Sequence, residues 1–150
     1  MPCEVQSLDI LGVRVSAVDM DSAVEILTAW LGQDRWGRYV CVTGVHGVME
    51  SYRNPVIRAA HNNADACVPD GMPLSWFGWL KGCKGMDRVY GPDLMLRLMA
   101  VAEQRGLTSF LYGGREGVAP LLQRKLCERF PAIKIAGTYS PPFGPLSKDE

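Results

Sequence analysis

The sequence predicts an α/β fold, a sheet of mostly parallel strands with helices on both faces, preceded by a small N-terminal β-hairpin. Two observations carry this. Short β-rich runs at 38–43, 66–68, 108–112 and 133–138 alternate with longer stretches of helical period, the pattern of strand–helix–strand units around a parallel sheet. Three of those runs end in turn chemistry, at Thr43-Gly44, Pro69-Asp70-Gly71 and Gly113-Gly114, where a strand hands over to the next element. A chain of 150 residues, 47% hydrophobic and 21% charged, has the size and composition of one soluble domain with a real core.

Taken in order, Val5 to Val18 reads as two short strands, with Val13, Val15 and Ala17 alternating against Arg14 and Ser16 and with Gly12 in the turn. Asp19-Met20-Asp21-Ser22 follows. Asp-x-Asp is a pattern by which many glycosyltransferases hold a metal-bound sugar nucleotide, but Ser22-Ala23-Val24-Glu25 also fits a capping box. Ala23, Ile26, Leu27 and Trp30 share one helical face, so a helix from here to about Gly32 is the expectation. Arg38 to Thr43 is a strand with a hydroxyl at its mouth. His46 to Arg53 is helical, Asn54-Pro55 breaks it, and Val56 to Asn62 forms a further helix.

The apolar run Ala66 to Val68 is long enough for a buried strand and too short for a helix. Pro69 stops it, and apolar residues resume through Trp76, Phe77, Trp79 and Leu80. Residues 81–91, rich in Gly and Lys, read as a mobile surface loop. Pro92 suits a first helical turn, and Leu94, Met95, Leu98, Met99, Val101 and Ala102 supply an apolar stripe ending near Gly106. Thr108 to Tyr112 is a third strand. The helix after it runs to about Phe130 with Leu121, Leu122, Leu126 and Phe130 facing inward, and Ile133 to Thr138 is a fourth strand. Tyr139 to Pro145 is a turn-rich loop, and Leu146 to Glu150 could open another helix. Right-handed crossovers bring the strand mouths to one edge, giving a doubly wound, Rossmann-like architecture with Thr43, Asp70 and Gly113-Gly114 at such mouths.

Composition excludes several function classes. The formal net charge is zero, which makes no sequence-wide case for nucleic acid. Five scattered cysteines without a C-x-x-C pair argue against a disulfide framework and a zinc site, and favour a reducing compartment. Met1 to Glu4 lacks the basic and apolar regions of a signal peptide, and no apolar run approaches the roughly 18 residues that span a bilayer. A cytoplasmic protein is the expectation. Nothing resembles a Ser-His-Asp set.

Several residues have chemistry to offer. Asp70 is a candidate general base, since a carboxylate in a half-buried cleft can take a proton from an attacking hydroxyl; it also suits a plain turn with Gly71. Arg88 on its connection suits a diphosphate, because its fork binds two oxygens at once, or it is a solvated charge. Thr43 could orient a sugar or phosphate, or simply end its strand. His46 is a candidate acid, base or donor near Thr43, or a residue that caps and packs; His61 reads as structural. Gly113-Gly114-x-x-Gly117 could bring backbone N–H groups to a phosphate, or form a tight turn. It is not G-x-G-x-x-G and lacks a placed ribose-binding acid, which weighs against a dinucleotide oxidoreductase. Trp76, Phe77, Trp79 and Leu80, flanked by Lys81 and Lys84, could meet a lipid surface, but core packing is the expected role.

Five stretches in order, Thr43-Gly-Val-His-Gly-Val-Met-Glu50, Ala64-Asp-Ala-Cys-Val-Pro-Asp70-Gly-Met-Pro73, Arg88-Val-Tyr-Gly-Pro-Asp93-Leu94, Phe110-Leu-Tyr-Gly-Gly114 and Gly137-Thr-Tyr-Ser-Pro-Pro142, resemble the WecG/TagA/CpsF family of bacterial glycosyltransferases. The resemblance runs from residue 8 onward and implies one glycosyltransferase domain. It also implies inverting, metal-independent transfer, with no cofactor, of an N-acetylhexosamine or related sugar from a UDP-sugar. The implied acceptor is linked to polyprenyl diphosphate at the inner membrane face, for teichoic acid, capsule or exopolysaccharide synthesis. By this resemblance Asp70 is the base, Thr43 its catalytic neighbour, and Arg88 counters diphosphate charge. His46, Gly71, Asp93, Gly113 and Gly114 are then substrate-binding candidates. A peripheral membrane location and a homo-oligomer fit the same reading.

Two departures stand out. Many members have Thr-x-Asn where Thr43 is followed by Gly44-Val45-His46, so either His46 replaces the asparagine or that contact is lacking. The family pattern also continues beyond the stretch matched here, through a Gly-x-Pro-x-Gln-Glu motif and a basic C-terminal appendage, so weak or no turnover is expected of the 150 residues alone. The alternative from another class is a non-catalytic remnant that binds nucleotide or a partner subunit.

Overall fold

The computed structural model describes residues 5–31, 37–142 and 144. These form two compact units, one up to Met95 and one from Leu96.

In the first unit, β1 (Ser7–Ile10) and β2 (Val13–Ser16) form the expected antiparallel hairpin. Leu11 (φ 53°) and Gly12 (φ 83°) are both left-handed, the demand of a two-residue turn that follows the twist of the strands. The turn is braced from afar. Arg14 N–H donates to Asn62 Oδ1 at 2.8 Å, and Asn62 Nδ2 donates to the Gly12 carbonyl at 2.9 Å.

Helix α1 (Met20–Ala29) starts three residues earlier in its capping logic than expected. Asp19 is the cap and exchanges hydrogen bonds with Ser22, so Ser22 is the last residue of the box and not its first. These bonds hold the Asp19 carboxyl below its ordinary value of 3.8. Asp19 is thereby committed to a helix start, as the competing reading of Asp-x-Asp requires. The helix ends at Ala29 with Trp30 as its C-cap, short of the expected end near Gly32, a residue outside the described ones.

The centre of this unit is a parallel pair, β3 (Val40–Thr43) and β4 (Ala66–Pro69), in register from Val40↔Ala66 to Thr43↔Pro69. Helices α2 (Val45–Arg53) and α3 (Pro55–Asn63) make the crossover between them, separated by Asn54, whose side chain caps α3. β2 runs beside β4, with Cys67 N–H donating to the Ser16 hydroxyl at 3.0 Å. The core gathers Ile10, Val13, Val15, Val48, Cys67, Leu74 and Met86, with Phe77 and Cys41 packed on its margin.

Two expectations fail around α4 (Met72–Leu80). Leu74, Ser75 and Gly78 are its buried residues, while Trp76, Trp79 and Leu80 are exposed, so these three are not core packing. The connection after it is tied down and is no loose surface loop. Met86 and Val89 are among the most buried side chains. Trp79 Nε1 donates to the Met86 carbonyl at 2.6 Å, Asp87 N–H to Val18 O at 3.1 Å and Val89 N–H to Pro69 O at 2.7 Å. Met86 packs directly on Gly78, where a Cβ would press on its Sδ.

Helix α5 (Gly91–Arg105) starts in the first unit and ends in the second. The second unit pairs β5 (Thr108–Tyr112) in parallel with β6 (Lys134–Tyr139), with one register step at Ser109/Phe110. α6 (Val118–Arg129) connects them. Leu111, Ala119 and Leu126 form the core with Leu96, Met99, Leu122, Phe130 and Ile135 against it. Leu121 departs from the expected inward stripe and is 48% exposed, one helical step off the face that Leu122 and Leu126 share. The four described cysteines, Cys41, Cys67, Cys83 and Cys127, are free thiols. The whole is α/β, with parallel strand pairs and a leading hairpin, compatible with a Rossmann-like fold. The helix expected to open at Leu146 lies outside the described residues.

Candidate active site

Parallel pairing puts the carboxyl ends of β3 and β4 on one edge, the edge where open α/β sheets take ligands. Thr43 ends β3 opposite Pro69, and Asp70 N–H donates to the Thr43 carbonyl at 2.8 Å, one step past the ladder. The two sequence candidates are therefore neighbours across a strand pair.

Glycine governs what happens next. α2 and α4 both begin at a glycine cap, Gly44 and Gly71, and neither has a side-chain cap. In α2 the N–H groups of Val45, His46 and Gly47 are left without the side-chain acceptor that normally occupies them, in the orientation that favours an anion. α4 offers Met72 N–H alone, since Pro73 has none and Leu74 N–H goes to the Gly71 carbonyl at 3.2 Å. Gly71 sits at φ 139°, a region essentially closed to side chains. A Cβ on Gly44 would come within 2.7 Å of the Asp70 carbonyl. Gly47, one turn into α2, has its Cβ position filled by Thr43 Oγ1.

That hydroxyl is the unusual group of the site. Thr43 is 2% exposed and its Oγ1 has no hydrogen-bond partner, a costly state that in native proteins asks for a reason. His61 lies behind the same glycine. It is braced by Ser51 Oγ at 2.9 Å and by the Ile57 carbonyl at 3.1 Å, both to Nδ1, so it joins α2 to α3 as a structural residue.

The Asp70 side chain is 29% exposed, and Arg88 Nε lies 3.6 Å from its Oδ1. The Arg88 guanidinium also stacks on Tyr90, 4.5 Å from the ring centroid. Val89 N–H bonded to Pro69 O fixes this strip against the end of β4. Tyr90 and Gly47 are the residues that sequence reasoning missed. Their signals are short-range: Arg88 and Tyr90 are two apart on extended chain and so share a side, and Gly44-x-x-Gly47 opens a helix directly after a strand.

The other candidates lie on other elements. His46 is exposed on the first turn of α2, and Asp93 is exposed on the first turn of α5. Gly113 (φ 108°), Gly114 (φ 77°) and Gly117 (φ 83°) shape the turn between β5 and α6 in the second unit. Gly113 N–H is already given to the Tyr139 carbonyl at 2.8 Å, so that donor continues the pairing of β5 with β6. Among the described residues no three His, Cys, Asp or Glu side chains gather as a metal site.

A profile described as "Glycosyl transferase WecG/TagA/CpsF family" matches residues 8–150. The chain belongs to the WecG/TagA/CpsF family. Two curated relatives share the name N-acetylglucosaminyldiphosphoundecaprenol N-acetyl-beta-D-mannosaminyltransferase. The one from Bacillus spizizenii is 29% identical over 110 residues, 73% of this chain and 42% of the relative. The one from Bacillus subtilis is 29% identical over 76 residues, 51% of this chain and 30% of the relative. The matched stretch thus spans less than half of either relative's length. The first unit brings together Thr43, Asp70 and Arg88, the three residues to which the sequence resemblance pointed.

Proposed function

We propose that this chain carries the chemical centre of a glycosyltransferase that moves an N-acetylhexosamine from a UDP-sugar to a polyprenyl-diphosphate-linked acceptor, with inversion. The observation that carries the reading is the half-exposed Asp70 carboxylate at the end of β4. It lies between two glycine-capped helix starts, with the Arg88 fork beside it.

In this mechanism Asp70 takes the proton of the acceptor hydroxyl as that oxygen bonds to the anomeric carbon. The bond from the anomeric carbon to the diphosphate oxygen breaks at the opposite face, and UDP leaves with the electron pair. Arg88, the N–H groups opening α2 and the Met72 N–H at the start of α4 counter the charge that develops on it. No step calls on a metal. A β-linked product, which the relatives' name specifies, is what inversion at an α-linked nucleotide sugar yields. The acceptor's lipid tail would place the protein at the inner face of the plasma membrane.

Thermal denaturation with UDP, UDP-N-acetylhexosamines and NAD tests the reading. UDP and its sugars raise the Tm, and Asp70→Asn keeps that shift; in a version extended to the relatives' full length, Asp70→Asn lowers transfer to a lipid-linked N-acetylglucosamine diphosphate, in EDTA, by roughly 10²- to 10⁴-fold. Stabilisation by NAD alone, or undiminished transfer by Asp70→Asn, overturns it.

A further inference from the structure

Helix α4 reads Met-Pro-Leu-Ser-Trp-Phe-Gly-Trp-Leu and contains no charged residue. Its inner side packs Leu74, Ser75 and Gly78 into the first unit. Its outer side is apolar as well: Pro73 is exposed, Trp76 is 54% exposed, Trp79 44% and Leu80 85%. A helix that is apolar all round is expected to be covered on all sides, and clustered exposed aromatics mark an interaction surface.

The surroundings indicate what covers it. From Gly71 to Met86 there is no acidic residue, and the two charges present are Lys81 and Lys84, both exposed. Tryptophan pairs with flanking lysines are the composition of segments that lie in the headgroup layer, the rings amphipathic and the ammonium groups over anionic lipid. Trp79 is anchored by its indole N–H to the Met86 carbonyl and yet keeps 44% of its surface exposed.

We infer that the outer face of α4, with Trp76, Trp79 and Leu80 at its centre and Lys81 and Lys84 at its rim, docks this protein on an anionic bilayer surface. α4 begins two residues after Asp70 and is roughly 14 Å long at 1.5 Å per residue. A docked α4 therefore keeps the carboxylate within reach of a headgroup-level acceptor. The inference deepens the proposed function by naming the face that meets the membrane; lipid binding itself is measured without nucleotide or acceptor.

The test is co-sedimentation of the 150-residue chain with vesicles of phosphatidylcholine alone and of phosphatidylcholine mixed with phosphatidylglycerol. Binding to the anionic vesicles, weakened by added salt, is expected. Trp76→Gln with Leu80→Gln, two exposed positions, is expected to lower the partition coefficient roughly tenfold or more. Lys81→Gln and Lys84→Gln are each expected to cost about fivefold on the anionic vesicles. Circular dichroism and the UDP thermal shift of the same variants show that the fold and the nucleotide site persist. Absence of vesicle binding by the unmodified chain, or equal binding by the Trp76→Gln/Leu80→Gln variant, overturns the inference. So does a dimer in sedimentation equilibrium that the double substitution dissolves while vesicles bind neither form, since the face then belongs to a second copy. Vesicle binding without a UDP shift removes the proposed function and leaves the docking face standing.

Discussion

Arg88 Nε stands 3.6 Å from Asp70 Oδ1 while its guanidinium covers the Tyr90 ring at 4.5 Å. One cation is therefore aimed by an aromatic floor and shared between the carboxylate and whatever anion enters the edge of the strand pair. Nearly half of the Arg88 side chain is exposed, at 46%, so the fork retains donors for a ligand.

Substituting that cation should show in affinity. Arg88→Ala is expected to weaken UDP binding roughly 10- to 100-fold, the worth of a charge-assisted hydrogen bond. Arg88→Lys should recover only part of it, because a point charge lacks the bidentate fork. Tyr90→Leu should weaken binding by a smaller factor through loss of the stacking floor. Calorimetric titration with UDP checks all three, and an unchanged affinity for Arg88→Ala removes the diphosphate role.

The buried hydroxyl of Thr43 makes a prediction of opposite sign for stability and for chemistry. Thr43→Val removes an unpartnered polar atom and is expected to stabilise by about 1 kcal/mol or more, about 2–4 °C in Tm for a chain of this size, while lowering transfer. Gly47→Ala forces a methyl into the space of Thr43 Oγ1 and should destabilise by about 1–3 kcal/mol. Gly85→Ala, where a Cβ meets nothing within 4 Å, is the neutral control. Denaturant melts of the three variants decide whether this packing is as tight as the geometry states.

Thiol chemistry should sort the cysteines by burial. Burial pushes the Cys67 thiol up to about 12 from an ordinary 9.0, with the Cys41 thiol opposite it adding to the shift. Among the four described cysteines Cys127 is the exposed one and is expected to react before the other three with a disulfide reagent at pH 8, with Cys67 reacting only on unfolding. A raised folded value means that the associated stability is complete below pH 9 and is lost as pH climbs from 9 toward 12. Stability measured across that window should fall for the native chain and fall less for Cys67→Ala.

Much of the fold was legible in the chain itself. The strand–helix alternation, the hairpin turn at Gly12, the break at Asn54-Pro55 and the strand at 108–112 each rest on local period and turn chemistry. Those act between residues a few positions apart. Thr43 and Asp70 were legible for the same reason, as polar groups at the ends of apolar runs, and Arg88 as a forked cation on a Gly- and Lys-rich connection just before a helix start.

What sequence alone determined was therefore the order of elements and the residue types at their ends. The tertiary structure decided which apolar residues are covered. Met86 and Val89 went inside from a Gly- and Lys-rich stretch, and Trp76 and Leu80 stayed outside on an apolar helix. It also decided the company each polar group keeps: Arg88 with Asp70 and Tyr90, and the Thr43 hydroxyl against Gly47 with no partner. Hydrophobicity favours burial without naming a side, and only contacts between distant parts of the chain fix the direction in which a side chain is buried.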